Sequence, residues 1–138
     1  MEVAKPIQEV FMFVDDDSKT PLWLQRCVEL KQTSDGTKKV GTKLHYVYQQ
    51  GKNTASMDGV VVAHDVNKYL STTYTDKMFD VDIKFWFSPG PTGTTLKHGI
   101  EIKPKSLFGK IISPIIKFAL PRQTRKDVEK LKKVLELA

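Results

Sequence analysis

Three histidines, His45, His64 and His98, are the side chains best suited to move protons at neutral pH, and each falls in a separate stretch that reads as a strand. They share no helical spacing and none stands near the single cysteine, Cys27, so no metal site is expected, and no cofactor either. His98 differs from the other two. Its parity groups it with Leu96, Ile100 and Ile102, which points the imidazole to an apolar face. There it is a candidate general acid or base, or else a structural histidine bonded to a tyrosine or a carbonyl. His45 alternates with Leu44 and Tyr46 and is expected in water, whereas His64 lies in an apolar run, 57–66, whose facing the pattern leaves open.

Common enzyme signatures are missing. The chain has no Gly-x-Ser-x-Gly elbow, no Gly-x-x-x-x-Gly-Lys-Ser/Thr loop, no Gly-x-Gly-x-x-Gly and no His-Glu-x-x-His. The other side chains of interest are aromatic. Tyr46 and Tyr48 combine apolar area with a hydroxyl that needs a partner, which suits either packed core or the wall of a greasy pocket. Cys27 is read as a small packing residue, because one cysteine cannot form an intramolecular disulfide and nothing beside it activates the thiol.

These residues sit in a simple order of elements. Ile7, Val10, Phe11 and Val14 recur at helical spacing after Pro6, and Asp15-Asp16-Asp17 ends the helix. A second short helix is expected over 18–25, with Ser18 or Thr20 as cap, Pro21 early and Trp23 inside. The period then changes to two. Val28 and Leu30 share a face, Asp35-Gly36 offers a turn, and Leu44, Tyr46 and Tyr48 share another face before Gly51-Lys52-Asn53. Runs follow at 57–66 and 69–75. The clearest strand places Val81, Ile83, Phe85 and Phe87 opposite Asp80, Asp82, Lys84 and Trp86, so Trp86 suits a surface or homodimer contact. After Leu96–Ile102 the sheet ends at Lys103-Pro104, and a long helix begins near Leu107.

That helix is greasy first and basic afterwards. Leu107, Ile111, Ile115 and Phe118 fall at three- and four-residue spacing and are expected to roof a cavity, while Pro114 and Pro121 invite a new start or a kink. The apolar stretch 107–120 is broken by Lys110, Pro114 and Lys117, and its 14 residues fall short of a membrane span. Residues 103–138 hold 10 Lys and Arg against 3 Asp and Glu, out of a whole-chain net charge of +6. Such an excess is either the solvated face of a helix or a peripheral contact with an anionic membrane. Nucleic acid is not expected, since no stacking motif or reading helix accompanies the charge. At 138 residues the chain reads as one domain, 1–138, and its first residues lack the cationic start and apolar core of a signal peptide, so the cytoplasm is the expected compartment.

The order of a short strand, two short helices, about six strands and a long helix is α+β, with a curved antiparallel sheet closed by one helix. It resembles the START-like SRPBCC superfamily, which holds polyketide cyclases, allergen-like ligand carriers and lipid-transfer domains. The strings that carry the resemblance are Pro6-Ile7-Gln8-Glu9-Val10-Phe11 with Asp15, Trp23-Leu24, Val40-Gly41-Thr42, Gly93-Thr94-Thr95 and Leu131-Lys132-Lys133-Val134-Leu135-Glu136. The first strand is shorter than the family pattern, with only Met1 to Lys5 before the helix. The resemblance implies a helix-grip fold with a cavity between sheet and helix, and it carries over no catalytic residue. The leading expectation is binding of a small hydrophobic or amphipathic molecule, lipid-like or aromatic, lined by Trp23, Tyr46, Tyr48, Phe85, His98, Ile111, Ile115 and Phe118. Two alternatives stand beside it. One is a cyclase/dehydratase- or isomerase-like enzyme using His98 with a tyrosine; the other is a membrane- or protein-interaction module acting through the basic helix.

Overall fold

The computed structural model describes the backbone of residues 1–137; the side chains of residues 108, 109, 112, 113 and 115–120 lie outside the description. Strand β1 (Glu2–Val3) leads to helix α1 (Ile7–Asp15) and a 3₁₀ helix (Asp17–Leu22). The strands β2 (Cys27–Gln32), β3 (Lys43–Gln50), β4 (Asn53–Asp65), β5 (Tyr69–Thr75), β6 (Phe79–Gly90) and β7 (Gly93–Pro104) follow, and helix α2 (Leu107–Leu137) ends the chain.

All seven strands form one antiparallel sheet in the order β1-β7-β6-β5-β4-β3-β2. The two edge strands are therefore neighbours in sequence, and α1 with the 3₁₀ helix spans the gap between them. The short first strand does pair: Glu2 and Val3 lie opposite Thr95 and Thr94 of β7. The Met1 amino group adds a bond to Leu96 O at 2.9 Å.

Several local outcomes follow from backbone chemistry. Helix α1 buries Val10, Phe11 and Val14 as the stripe requires. The expected second helix is shorter and tighter, a 3₁₀ segment that ends at Leu22, because Pro21 supplies no N–H and short helical pieces favour i→i+3 bonds. Asp16 caps it by accepting from Ser18 N at 3.1 Å. Val28 and Leu30 do not share a face as expected. The register shifts between Cys27 and Glu29, so Cys27 is buried while Val28 is 51% exposed. A second shift between Val61 and Ala63 leaves Val60 and Val62 both outside and turns His64 inward. Helix α2 runs as one element through Pro114 and Pro121, so neither proline begins a new helix.

The core has two parts. One joins Val3, Val10, Phe11 and Trp23 to Phe85, Leu96, Leu131 and Leu135; the other gathers Leu44, Met57, Val61 and Tyr74, and Ile83 packs against both. Among the described residues of α2, Asp127, Leu131 and Leu135 are the buried ones, one turn apart, and Glu136 Oε2 accepts from Ala4 N at 2.8 Å. Leu131→Ala is expected to lower stability by about 3 kcal/mol in urea denaturation, whereas Ile111→Ala, at a 65% exposed position, should change it by less than about 0.5 kcal/mol.

Candidate functional site

Between the two parts of the core lies a cavity of about 80 Å³. The alternation of the strands builds its wall: β3 contributes Leu44 and Tyr46, β5 Leu70, Thr72 and Tyr74, β6 Ile83 and Phe85, and β7 His98 and Ile100. Val14 of α1, Thr20 of the 3₁₀ helix and Trp23 just after it add to the lining, and α2 contributes Asp127. The space has room for several waters, one small ring or the end of a longer molecule, and is smaller than a typical drug-sized pocket of about 300 Å³ or more.

His98 faces the cavity, as its parity indicated. Its ring lies against Phe85, with centroids 4.5 Å apart, and Nδ1 is buried without a hydrogen-bond partner among the described residues. Burial pushes its pKa down from 6.5 to about 4, because the apolar wall disfavours the charged ring. The tyrosine or carbonyl partner expected of a structural histidine is thus not found at Nδ1. Trp23, 4% exposed, stands edge-on to Phe85 at 6.0 Å, and its Nε1 also lacks a partner among the described residues.

Tyr46 lines the cavity, and Tyr48 stacks on it at 5.3 Å from outside the lining. Burial raises the pKa of Tyr46, Tyr48 and Tyr74, so these phenols stay protonated. Ile111 does not join the wall. It is 65% exposed, and Leu107 of the same stripe is 77% exposed, whereas the buried residues among those described on α2, Asp127, Leu131 and Leu135, lie further along the helix. Ile115 and Phe118 lie outside the described residues. Cys27 is buried, and desolvation pushes its thiol up to about 11, consistent with packing.

The sequence reading missed the cavity's charged residues, Asp17, Lys38 and Asp127. Lys38, in the loop between β2 and β3, lies 2.8 Å from Asp17 Oδ1 and donates to Asp15 O at 3.0 Å. It also pairs with Asp15 Oδ1 at 3.2 Å, a charge contact without hydrogen-bond alignment. Desolvation raises the Asp17 pKa, and Lys38 opposes the rise. His64 completes this clamp through Asp15 Oδ2 at 2.9 Å. Asp127 Oδ1 accepts from Gln25 N at 3.2 Å and from Gln123 Nε2 at 3.1 Å. A signal for Asp127 did exist, since it falls four and eight residues before Leu131 and Leu135 on one helix face.

His45 is half-buried on the outer side, 3.2 Å from Asp58, and Trp86 is 42% exposed there. Among the described residues no group of three His, Cys, Asp or Glu could hold a metal, and no helix is long and apolar enough to cross a membrane.

No protein-family model matches the chain, and no curated protein is significantly similar to it. Solved structures are. A START superfamily protein from Mycobacterium smegmatis aligns with a TM-score of 0.80 at 16% identity, covering 99% of this chain and 94% of that one. A protein of Thermus thermophilus gives 0.77 at 12% identity, with 96% and 91% covered. Ara h 8.0201 gives 0.72 at 14% identity, with 99% and 93% covered. At these identities the likeness is one of fold, and the fold is the START-like helix grip.

His98 should remain neutral as pH falls from 8 to 5.5 and titrate near 4, seen in its ring proton shifts. An inflection near 6.5 would instead place the ring in water. The sign of the linkage follows: below pH 6.5 the unfolded chain takes up a proton at His98 that the folded chain does not. His98 should therefore subtract stability progressively toward pH 4, by at most about 3 kcal/mol, and nothing above pH 7.

Proposed function

We propose that the chain binds a small hydrophobic or amphipathic molecule in the cavity between the sheet and α2, in contact with Trp23, Tyr46, Phe85 and His98. The observation that carries this reading is a mostly apolar cavity whose lining includes Trp23 and His98, each with a buried polar atom, Nε1 and Nδ1, that has no hydrogen-bond partner among the described residues. Buried polar atoms are normally paired, and a ligand with a polar group would pair them.

The same groups argue against acid/base catalysis. A general base works best with a pKa near the working pH, whereas His98 at about 4 is a weak base at neutral pH. The raised phenols are correspondingly poor proton donors. Hydrogen bonding, rather than proton transfer, is what this wall does well.

Native mass spectrometry of the protein from its own host should show one small molecule per chain. Val61→Phe, which drives a ring into the cavity, should lose it while keeping its far-ultraviolet circular dichroism. Equal retention by the variant would move the site elsewhere. An empty wild type that also fails to bind benzyl alcohol would end the reading.

A second reading rests on a separate surface. Leu107 and Ile111 are largely exposed one turn apart, with exposed Lys110 beside them, in the part of the chain that carries the positive excess. Apolar side chains amid cations complement an anionic bilayer surface. Sedimentation with phosphatidylserine vesicles should show binding that high salt removes and that Ile111→Glu abolishes; equal binding to phosphatidylcholine vesicles would refute it.

A further inference from the structure

The cavity wall is apolar but not electrically neutral. Three charged side chains reach it, Asp17, Lys38 and Asp127, and Lys38 is the one cation among the described lining residues. Lys38 is already engaged. Its ammonium donates to Asp17 Oδ1 at 2.8 Å and Asp15 O at 3.0 Å and stands 3.2 Å from Asp15 Oδ1 as a charge contact, so two carboxylates already oppose its charge.

Asp127 is the opposite case. It is 7% exposed, and the groups that hold its Oδ1, the Gln25 N–H and the Gln123 amide, are neutral donors. No ion pair to it occurs among the described residues. The remaining polar groups of the lining are uncharged: Trp23 Nε1, which can only donate, the hydroxyls of Thr20, Thr72, Tyr46 and Tyr74, and the His98 ring, which carries no positive charge at neutral pH because burial keeps it deprotonated.

From this arrangement we infer that the cavity selects by charge: it accepts uncharged molecules bearing a hydrogen-bond acceptor, such as alcohols, ketones or amides, and rejects carboxylates and other anions of the same shape. This rests on the cavity being the binding site. An entering anion would lose its hydration, find no free cation among the described lining residues and share a low-dielectric space with the carboxylate of Asp127. A neutral carbonyl or hydroxyl loses less hydration and gains the Trp23 N–H.

Benzamide and benzoate separate these cases, since they match in shape and differ in charge. The full chain, labelled with ¹⁵N, is titrated with each at pH 7 while the indole N–H signal of Trp23 is followed. The indole of Trp86, on the outer face, serves as the internal reference. Benzamide should shift Trp23 saturably, and benzoate should bind at least about tenfold more weakly. Asp127→Asn, which keeps an oxygen for Gln25 N, should narrow the gap to about threefold or less.

Benzoate binding as tightly as benzamide in the wild type would overturn the charge selection and leave the container reading standing. Failure of both to move Trp23 would overturn the container reading and the selection with it. A wild-type gap that persists unchanged in a folded Asp127→Asn protein would overturn the role given to Asp127. If that variant does not fold, the wild-type comparison decides the proposal alone.

Discussion

The seating of Leu131 and Leu135 in the same core as Val3 and Leu96 is the contact on which the rest of this structure depends. It joins the last helix to the first strand, and so closes a sheet whose two edges would otherwise be held only by α1 and the 3₁₀ helix. The Ala4 N–H to Glu136 bond at 2.8 Å fixes the same junction from the polar side. Because a helix repeats every 3.6 residues, anchoring Leu131 and Leu135 inward also turns Asp127 inward. The carboxylate in the cavity is thus a geometric consequence of how the grip closes.

The opposite end is closed by charge. Lys38, Asp15, Asp17 and His64 come from the loop between β2 and β3, the end of α1, the 3₁₀ helix and β4, and their side chains are only 14–20% exposed. Taking such groups from water is costly, and the loop between β2 and β3 has little apolar surface to bury in its place. What the clamp supplies is position: Lys38 ties a long loop to the helices that cover the cavity mouth. The same contacts oppose the lysine's charge with two carboxylates, so the mechanical role of Lys38 and the charge selection proposed for the wall rest on one set of ion pairs.

How much of this the sequence revealed depended on where the backbone keeps its register. His98 was legible because β6 and β7 pair without a shift from Phe79 opposite Pro104 to Gly90 opposite Gly93, so parity holds along the whole strand. Val28 and His64 were not legible, because each stands beside a bulge that exchanges the two faces. The helix stripe misled for another reason. Leu107 and Ile111 are spaced as a buried face yet are exposed, whereas among the described residues of α2 the buried ones are Asp127, Leu131 and Leu135, which stand among lysines and so carry a weaker apolar signal. Lys38 carried no periodic signal, since loop residues have none.

The polar atoms of the cavity bear on stability as well as on recognition. A buried donor or acceptor without a partner costs about 1–3 kcal/mol, and two such atoms, Trp23 Nε1 and His98 Nδ1, flank the ring of Phe85. A phenylalanine at either position would fill similar space without that cost. On the proposed binding function, retaining the indole and the imidazole keeps part of the stabilisation in reserve, to be recovered when a molecule offers the missing hydrogen bonds. Binding then stabilises the folded chain in proportion to the logarithm of ligand concentration over its dissociation constant. On the proposed binding function, the grip, the cavity and the unpaired polar atoms form a single device, in which Leu131 and Leu135 hold the shape and Trp23 and His98 supply the hydrogen bonds a ligand would complete.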